Sequence, residues 1–394
     1  MPLSFLLLIF TLQSLGPTFS PTIIDSLGGS QQIDRPFNGV KTVCLQQPDG
    51  SGDIIRDIFV VTPEHPRYTE GSVAVLPNQS LLYSISEFSS GPGDHATAQI
   101  MAVRSYDGGL TWSEPLVLQK NIGQLNVMSS TLRYIGDTSS GDYRLGHFFM
   151  MKNSLSDLRG YLRVSQDGGT TFGDTIRFTI SPGYSVMNND RITRLRSGRL
   201  IAPLAYTRDV QTENHFISFC SYSDDQGKSW QESKNHVDYS NRGAMEPEVI
   251  EFKDGTLGMI FRTQSGHIAI SYSMDQGLSW GEPTSWGVRA PESPATCRRI
   301  PSTGDLLLIW NDNYEPGADH QGKRIPLTAA ISTDDGKTWK YKRNLEEGDH
   351  ITAAYSSLTF TQDRALLTYT LRNSETNLRS HRFRSLPISW FYSE

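Results

Sequence analysis

One eight-residue pattern recurs five times at near-constant intervals, and no other feature restricts the fold of this chain as tightly. The segments are SYDGGLTW from Ser105, SQDGGTTF from Ser165, SDDQGKSW from Ser223, SMDQGLSW from Ser273 and STDDGKTW from Ser332. Their shared acids, Asp107, Asp167, Asp225, Asp275 and Asp334, lie 60, 58, 50 and 59 residues apart. A fixed period of this size marks repeated supersecondary units. Locally, each box reads as a hairpin turn. Asp accepts hydrogen bonds from backbone amides just downstream, Gly supplies positive φ, Ser or Thr adds a hydroxyl, and the aromatic packs beneath.

Between the boxes the chain reads as strands. AVLPNQSLLYSI from Ala74, ITRLRSGRLIAPLAY from Ile192 and VIEFKDGTLGMIF from Val249 are alternating or short apolar runs broken by turn residues. With 34 Gly, 20 Pro and 10% aromatic residues, the composition fits many short strands joined by tight turns. Two or three strands beside each box give about four per repeat, the make-up of a propeller blade. The stretches before the first box and after the last leave room for a sixth blade, closed by pairing of N- and C-terminal strands. The expected fold is therefore all-β, a six-bladed β-propeller in one domain over residues 36–394.

Charge excludes one class of partner. Against 36 Lys and Arg stand 42 Asp and Glu, a net charge of −6, so nucleic acid is not expected as a bulk electrostatic partner. Any anionic ligand must meet a local cationic cluster. Cys44, Cys220 and Cys297 are too few and too widely spaced for a zinc ribbon or a disulfide framework, and read as buried free thiols with room for one bridge. The nine His residues form no metal-ligand spacing, so neither metal nor cofactor is expected. Residues 1–20 carry an apolar run from Leu3 to Leu12, read as a signal peptide without the usual basic start. That implies a secreted or periplasmic protein; a monomer is expected, and, with no later run of eighteen apolar residues, no membrane span.

A box of this form, repeated in a six-bladed propeller, resembles the sialidase (neuraminidase) superfamily over nearly the whole chain after the leader. The boxes themselves are structural, so activity has to be argued from a site. The resemblance implies an exo-acting glycoside hydrolase that releases terminal sialic acid, or a related nonulosonic acid, from glycans. Its anomeric carbon already bears a carboxylate and would repel a carboxylate nucleophile, and sialidases use a Tyr instead. Such chemistry needs cations for the carboxylate, a base beside the Tyr, and an acid for the leaving oxygen.

Residues in the family's order are present. Arg67 in PRYTEGS and Asp94 in GPGDHATAQI stand 27 apart before the first box. MEPEVIEFKDGTLGMIFR supplies Glu246 and, 16 residues on, Arg262. Arg324 precedes the segment AAYSSLTF that carries Tyr355. The resemblance implies Tyr355 as nucleophile, Glu246 as its base, Asp94 as acid/base, and Arg67, Arg262 and Arg324 as the carboxylate clamp. Arg298 and Arg299 compete with Arg324 for the third guanidinium. The usual sequence around the first Arg is replaced by P-R-Y-T-E-G, so Glu70 can alter the partner of Arg67. Asn126, Asn189 and Arg191, in polar segments, are expected to line the pocket as further substrate contacts. The alternative is a propeller without catalysis that binds a glycan or protein, which has no need of the Tyr–Glu pair.

Overall fold

A computed structural model of the chain describes residues 43–45 and 52–393; the proposed signal peptide at residues 1–20 lies outside the described residues. Six antiparallel four-stranded units follow one another. The first comprises Arg67–Val75, Leu81–Phe88, Ala98–Ser105 and Leu116–Gln119. The second runs from Asn126–Tyr134 through Leu145–Ser154 and Asp157–Ser165 to Ile176–Arg177. In the third the inner strand is split into Tyr184–Val186 and Thr193–Arg194, followed by Leu200–Thr207, Ile217–Ser223 and Gln231–Glu232. Met245–Glu251 to Thr284–Arg289 form the fourth, and Thr296–Arg299 to Lys340–Glu346 the fifth.

The sixth blade closes the ring. Ile351–Phe360, Arg364–Asn373 and Arg379–Pro387 come from the C-terminal part, and the fourth strand, Ile54–Phe59, comes from the N-terminal part, with the short strand Val43–Leu45 paired along its outer edge. Arg382 grips Asp57 through Nε at 2.6 Å and Nη2 at 2.8 Å, and Arg384 holds Asp53 at 2.7 Å. Such planar, paired contacts fix register as well as adding energy. Pairing the termini removes two open sheet edges. The fold is the expected six-bladed propeller.

Each box spans the turn between the third and fourth strands of its blade. In all five, the leading Ser donates to Asp Oδ1 at 2.8 Å. The Ser oxygen in turn accepts from the Gly amide, as Gly109 N does at 2.8 Å in the first box. Gly109 has φ 100°, and a Cβ there would lie 2.3 Å from the Phe383 ring, so only Gly fits. The box aromatics fill the seams between blades: Trp112 packs edge-on against Phe383, and Trp230 against Phe148. There are five boxes for six blades because in the sixth the third and fourth strands come from opposite ends of the chain, with no turn between them.

Middle strands are covered on both faces and read as continuous apolar runs, such as Leu306–Asn311, buried throughout. Outer strands such as Thr284–Arg289 alternate buried with exposed positions. Cys220 and Cys297 are buried free thiols within this packing. Among the described residues no helix is long and apolar enough to cross a membrane.

Candidate active site

The inner strands carry the site, and they do so through a repeated backbone irregularity. Pairing register breaks between Thr69 and Ser72, Met128 and Thr131, Met245 and Glu248, and Ala354 and Ser357. At these breaks Glu70, Ser129, Glu246 and Tyr355 adopt φ of 57°, 61°, 46° and 57°, and Asp190 does the same at 59° in the gap of the third blade's inner strand. A left-handed conformation costs a side-chain-bearing residue of order 1–3 kcal/mol and persists only where the surroundings enforce it. A bulge re-aims one side chain out of the strand's alternation. The Tyr and the Glu singled out as nucleophile and base are both such residues.

At one end of the channel is a cavity of about 480 Å³, lined by Arg67, Asp94, Arg262, Arg324 and Tyr355 among others. Glu246 stands behind Arg262, its Oε2 3.0 Å from Nη1. Burial penalises the charge of Arg262, but the fields of Glu246, Tyr355 and Glu292 raise its pKa on balance. Arg262 thus pairs with Glu246 and shares the cavity wall with Tyr355. The Arg324 guanidinium lies 5.5 Å from the centroid of the Tyr355 ring.

Arg67 is nearly fully buried and lies 4.3 Å over the Phe88 ring. Its Nη1 donates to Asp94 Oδ1 at 2.5 Å and to Pro92 O at 3.1 Å, and Nη2 approaches Glu70 Oε1 at 3.7 Å. Burial opposes ionisation of Asp94, but Arg67, Lys152 and Arg379 hold its carboxyl well below the usual range. Glu70 behaves oppositely. Burial drives its pKa up to about 7, only partly countered by Arg67 and a short hydrogen bond from Ser129.

Three residues expected to line the pocket stand behind it, which corrects the expectation for Asn126, Asn189 and Arg191. Asn126 Nδ2 donates to Asp94 O at 3.1 Å and Ala96 O at 2.9 Å, fastening the Asp94 loop. Asn189 Nδ2 donates to Gly71 O at 2.7 Å and Tyr355 O at 3.0 Å, tying the first and sixth blades at the Tyr355 bulge. Arg191 has no exposed surface and spends its guanidinium on Glu248 at 3.0 Å, Asn188 at 2.9 Å and Ala295 O at 3.0 Å. A buried guanidinium must find its partners inside the protein, so these groups plug the channel rather than face ligand. Arg298 is likewise committed to Glu248 and the Asp190 carbonyl, and Arg299 to Gly304 O and Glu251 O. Arg324, not these two, lines the cavity.

Sequence reasoning missed several groups. Glu292 gathers cations from two blades: Oε1 accepts from Arg242 at 2.6 Å, Oε2 lies 3.3 Å from His320 Nδ1, and its carbonyl accepts from Arg324 at 3.2 Å. Lys152 donates to Asp94 O at 2.7 Å. Arg372 and Arg379 line the cavity from the sixth blade. None belongs to a motif; a lone Lys or Arg in a strand gives no signal of where it points.

Comparison with known proteins follows the same lines. The BNR repeat-like domain family matches residues 139–367. A sialidase of Micromonospora viridifaciens is 27% identical over 335 residues, covering 76% of this chain and 48% of that protein; a sialidase of Clostridium perfringens is 30% identical over 234 residues, covering 52% and 59%. The chain thus spans about half the length of the curated relatives it matches. Among solved structures, a protein of unknown function from Dyadobacter fermentans superposes with a TM-score of 0.68 at 18% identity, covering 89% of this chain and 99% of that one. Trypanosoma rangeli sialidase in complex with 2,3-difluorosialic acid, a covalent intermediate, superposes with a TM-score of 0.66 at 15% identity, covering 92% and 60%. At these identities the superpositions speak to the fold.

Proposed function

The chain belongs to the BNR repeat-like family of the sialidase superfamily, and from that premise we propose that it is an exo-acting glycoside hydrolase releasing terminal sialic acid, or a related nonulosonic acid, by a retaining mechanism. The observation that carries this reading is the convergence of Arg67, Arg262, Arg324, Asp94 and Tyr355 on one cavity, with Glu246 in contact through Arg262.

In this reading Arg262, Arg324 and Arg67 hold the substrate carboxylate. Tyr355 Oη attacks the anomeric carbon as its proton passes to Glu246, while Asp94 gives a proton to the departing glycosidic oxygen. A sugar–Tyr355 bond forms and the glycosidic bond breaks. Asp94, now ionised, takes a proton from water, which attacks the same carbon, and Glu246 returns its proton to Tyr355. Two displacements retain configuration. The Asn189 bond to the Tyr355 carbonyl holds the strained bulge in place.

The test is a fluorinated sialyl donor, which slows breakdown of the intermediate. Intact mass and peptide mapping should find the sugar on the peptide containing Tyr355, and Tyr355→Phe should lose the adduct without unfolding, because one hydroxyl is deleted and the ring kept. Label on another peptide, or no sialoside hydrolysis by wild type, would move the propeller to the class that binds a glycan without cleaving it.

A further inference from the structure

The cavity holds more positive charge than one carboxylate requires. Of its lining cations, Arg67 is paired with Asp94, Arg242 with Glu292 and Arg262 with Glu246. Arg324 is available for the carboxylate already assigned. Lys323, Arg372 and Arg379 remain, none of them in an ion pair among the described residues; Lys323 shares its loop with the lining carboxylates Glu315 and Asp319, whereas Arg372 and Arg379 come from the sixth blade.

These two sit directly opposite each other on adjacent antiparallel strands of the sixth blade. Like charges in that register repel, so the pair costs stability, and no carboxylate forms an ion pair with either of them among the described residues. The Arg372 Nε donates to Asn377 Oδ1 at 2.7 Å, which fixes its direction across the hairpin. The Arg379 Nε is buried without any partner. Arg379 lies at the closure of the ring: its backbone pairs with Arg67 and its amide donates to Pro66 O at 3.4 Å. Burial and the neighbouring Arg67 push its pKa down to about 10, while Asp94 opposes them, so its charge is felt beside the proposed acid. Since the leaving group departs past the residue that protonates it, Arg379 and Arg372 face the aglycone.

We propose that Arg372 and Arg379 form a subsite for a second anionic group, a carboxylate or sulfate carried by the aglycone of the sialoside. This rests on the reading of the cavity as a sialidase site and narrows it: the preferred substrate carries an anion on each side of the scissile bond. Guanidinium recognises both anions through the same forked, charge-assisted geometry.

The experiment compares kcat/KM on an α2,3-sialyllactose with a neutral aglycone, the same glycan sulfated on its galactose, and an α2,8-linked sialyl dimer, for wild type and Arg372→Gln/Arg379→Gln. The wild-type ratio of anionic to neutral substrate should fall about tenfold or more in the double variant, the loss expected for charge-assisted contacts. The two anionic substrates separate sulfate from carboxylate. An unchanged ratio for both overturns the subsite. A second arm is independent of turnover: sulfated lactose without sialic acid is titrated by calorimetry against both proteins. Binding weakened about tenfold in the variant supports the subsite; equal affinity, or no binding to wild type, overturns it. Absence of all sialoside hydrolysis with this binding intact overturns the sialidase reading alone.

Discussion

The Asp94 carboxylate rests 2.5 Å from Nη1 of Arg67, so the proposed general acid is held by a guanidinium of the proposed carboxylate clamp. A substrate carboxylate reaching Arg67 competes for the same charge. To the extent that it wins, Asp94 loses the contact that holds its carboxyl ionised and becomes able to carry a proton.

That relationship sets the first prediction. Asp94→Ala should cut kcat/KM on natural sialosides by roughly a hundredfold or more, the usual worth of a positioned acid, and spare aryl sialosides whose phenolate leaves without help. Equal losses on both substrate types, measured side by side, would remove Asp94 from the acid role.

Glu70 should make the protein less stable as pH rises. Its folded pKa of about 7 lies above the ordinary 4.5, so its stabilising, protonated form is fully present at low pH and its contribution is lost as pH climbs through that window. The loss is on the order of 3 kcal/mol at most. Urea unfolding of wild type and Glu70→Gln between pH 4.5 and 8 should show a slope in the former that the latter lacks; parallel curves would contradict it.

Arg191 should matter to folding rather than to binding. Arg191→Ala leaves Glu248 buried with one fewer cation, which typically costs about 3–5 kcal/mol. A clear fall in the urea midpoint is expected. A raised KM at unchanged stability would restore Arg191 to the pocket.

The boxes should act on stability alone. Asp275 accepts from Ser273 Oγ at 2.8 Å, Ser279 N at 2.8 Å and Ser279 Oγ at 2.6 Å. Asp275→Ala should cost about 1–3 kcal/mol with kcat within twofold of wild type. Burial raises its carboxyl pKa, but bonds from Ser279 and Ser273 bring it below the ordinary value. Its contribution is therefore present above the unfolded pKa and lost on acidification, so the variant should lose less stability than wild type in acid-unfolding curves. A fall in kcat without a shift in midpoint would be evidence against a purely structural box.

The sequence alone determined what depends on neighbours a few residues apart. The box at Ser105–Trp112 closes on itself, with Ser105 bonded to Asp107 and Gly109, and Trp112 to the Gly109 carbonyl at 3.0 Å, so its five copies announce the blades and their period. The family resemblance also ordered six candidates along the chain, five of which line one cavity while the sixth, Glu246, pairs with Arg262. Tertiary structure decided the rest, because blade closure joins residues that have no relation along the chain. Asn189 meets the Tyr355 carbonyl across 166 positions, and the left-handed turns at Glu70, Glu246 and Tyr355 arise where six inner strands crowd one axis. The same crowding sent Arg191 into the channel plug, since a guanidinium shut off from water must bond to whatever carboxylate the neighbouring blade presents, and no local pattern records which blade that is.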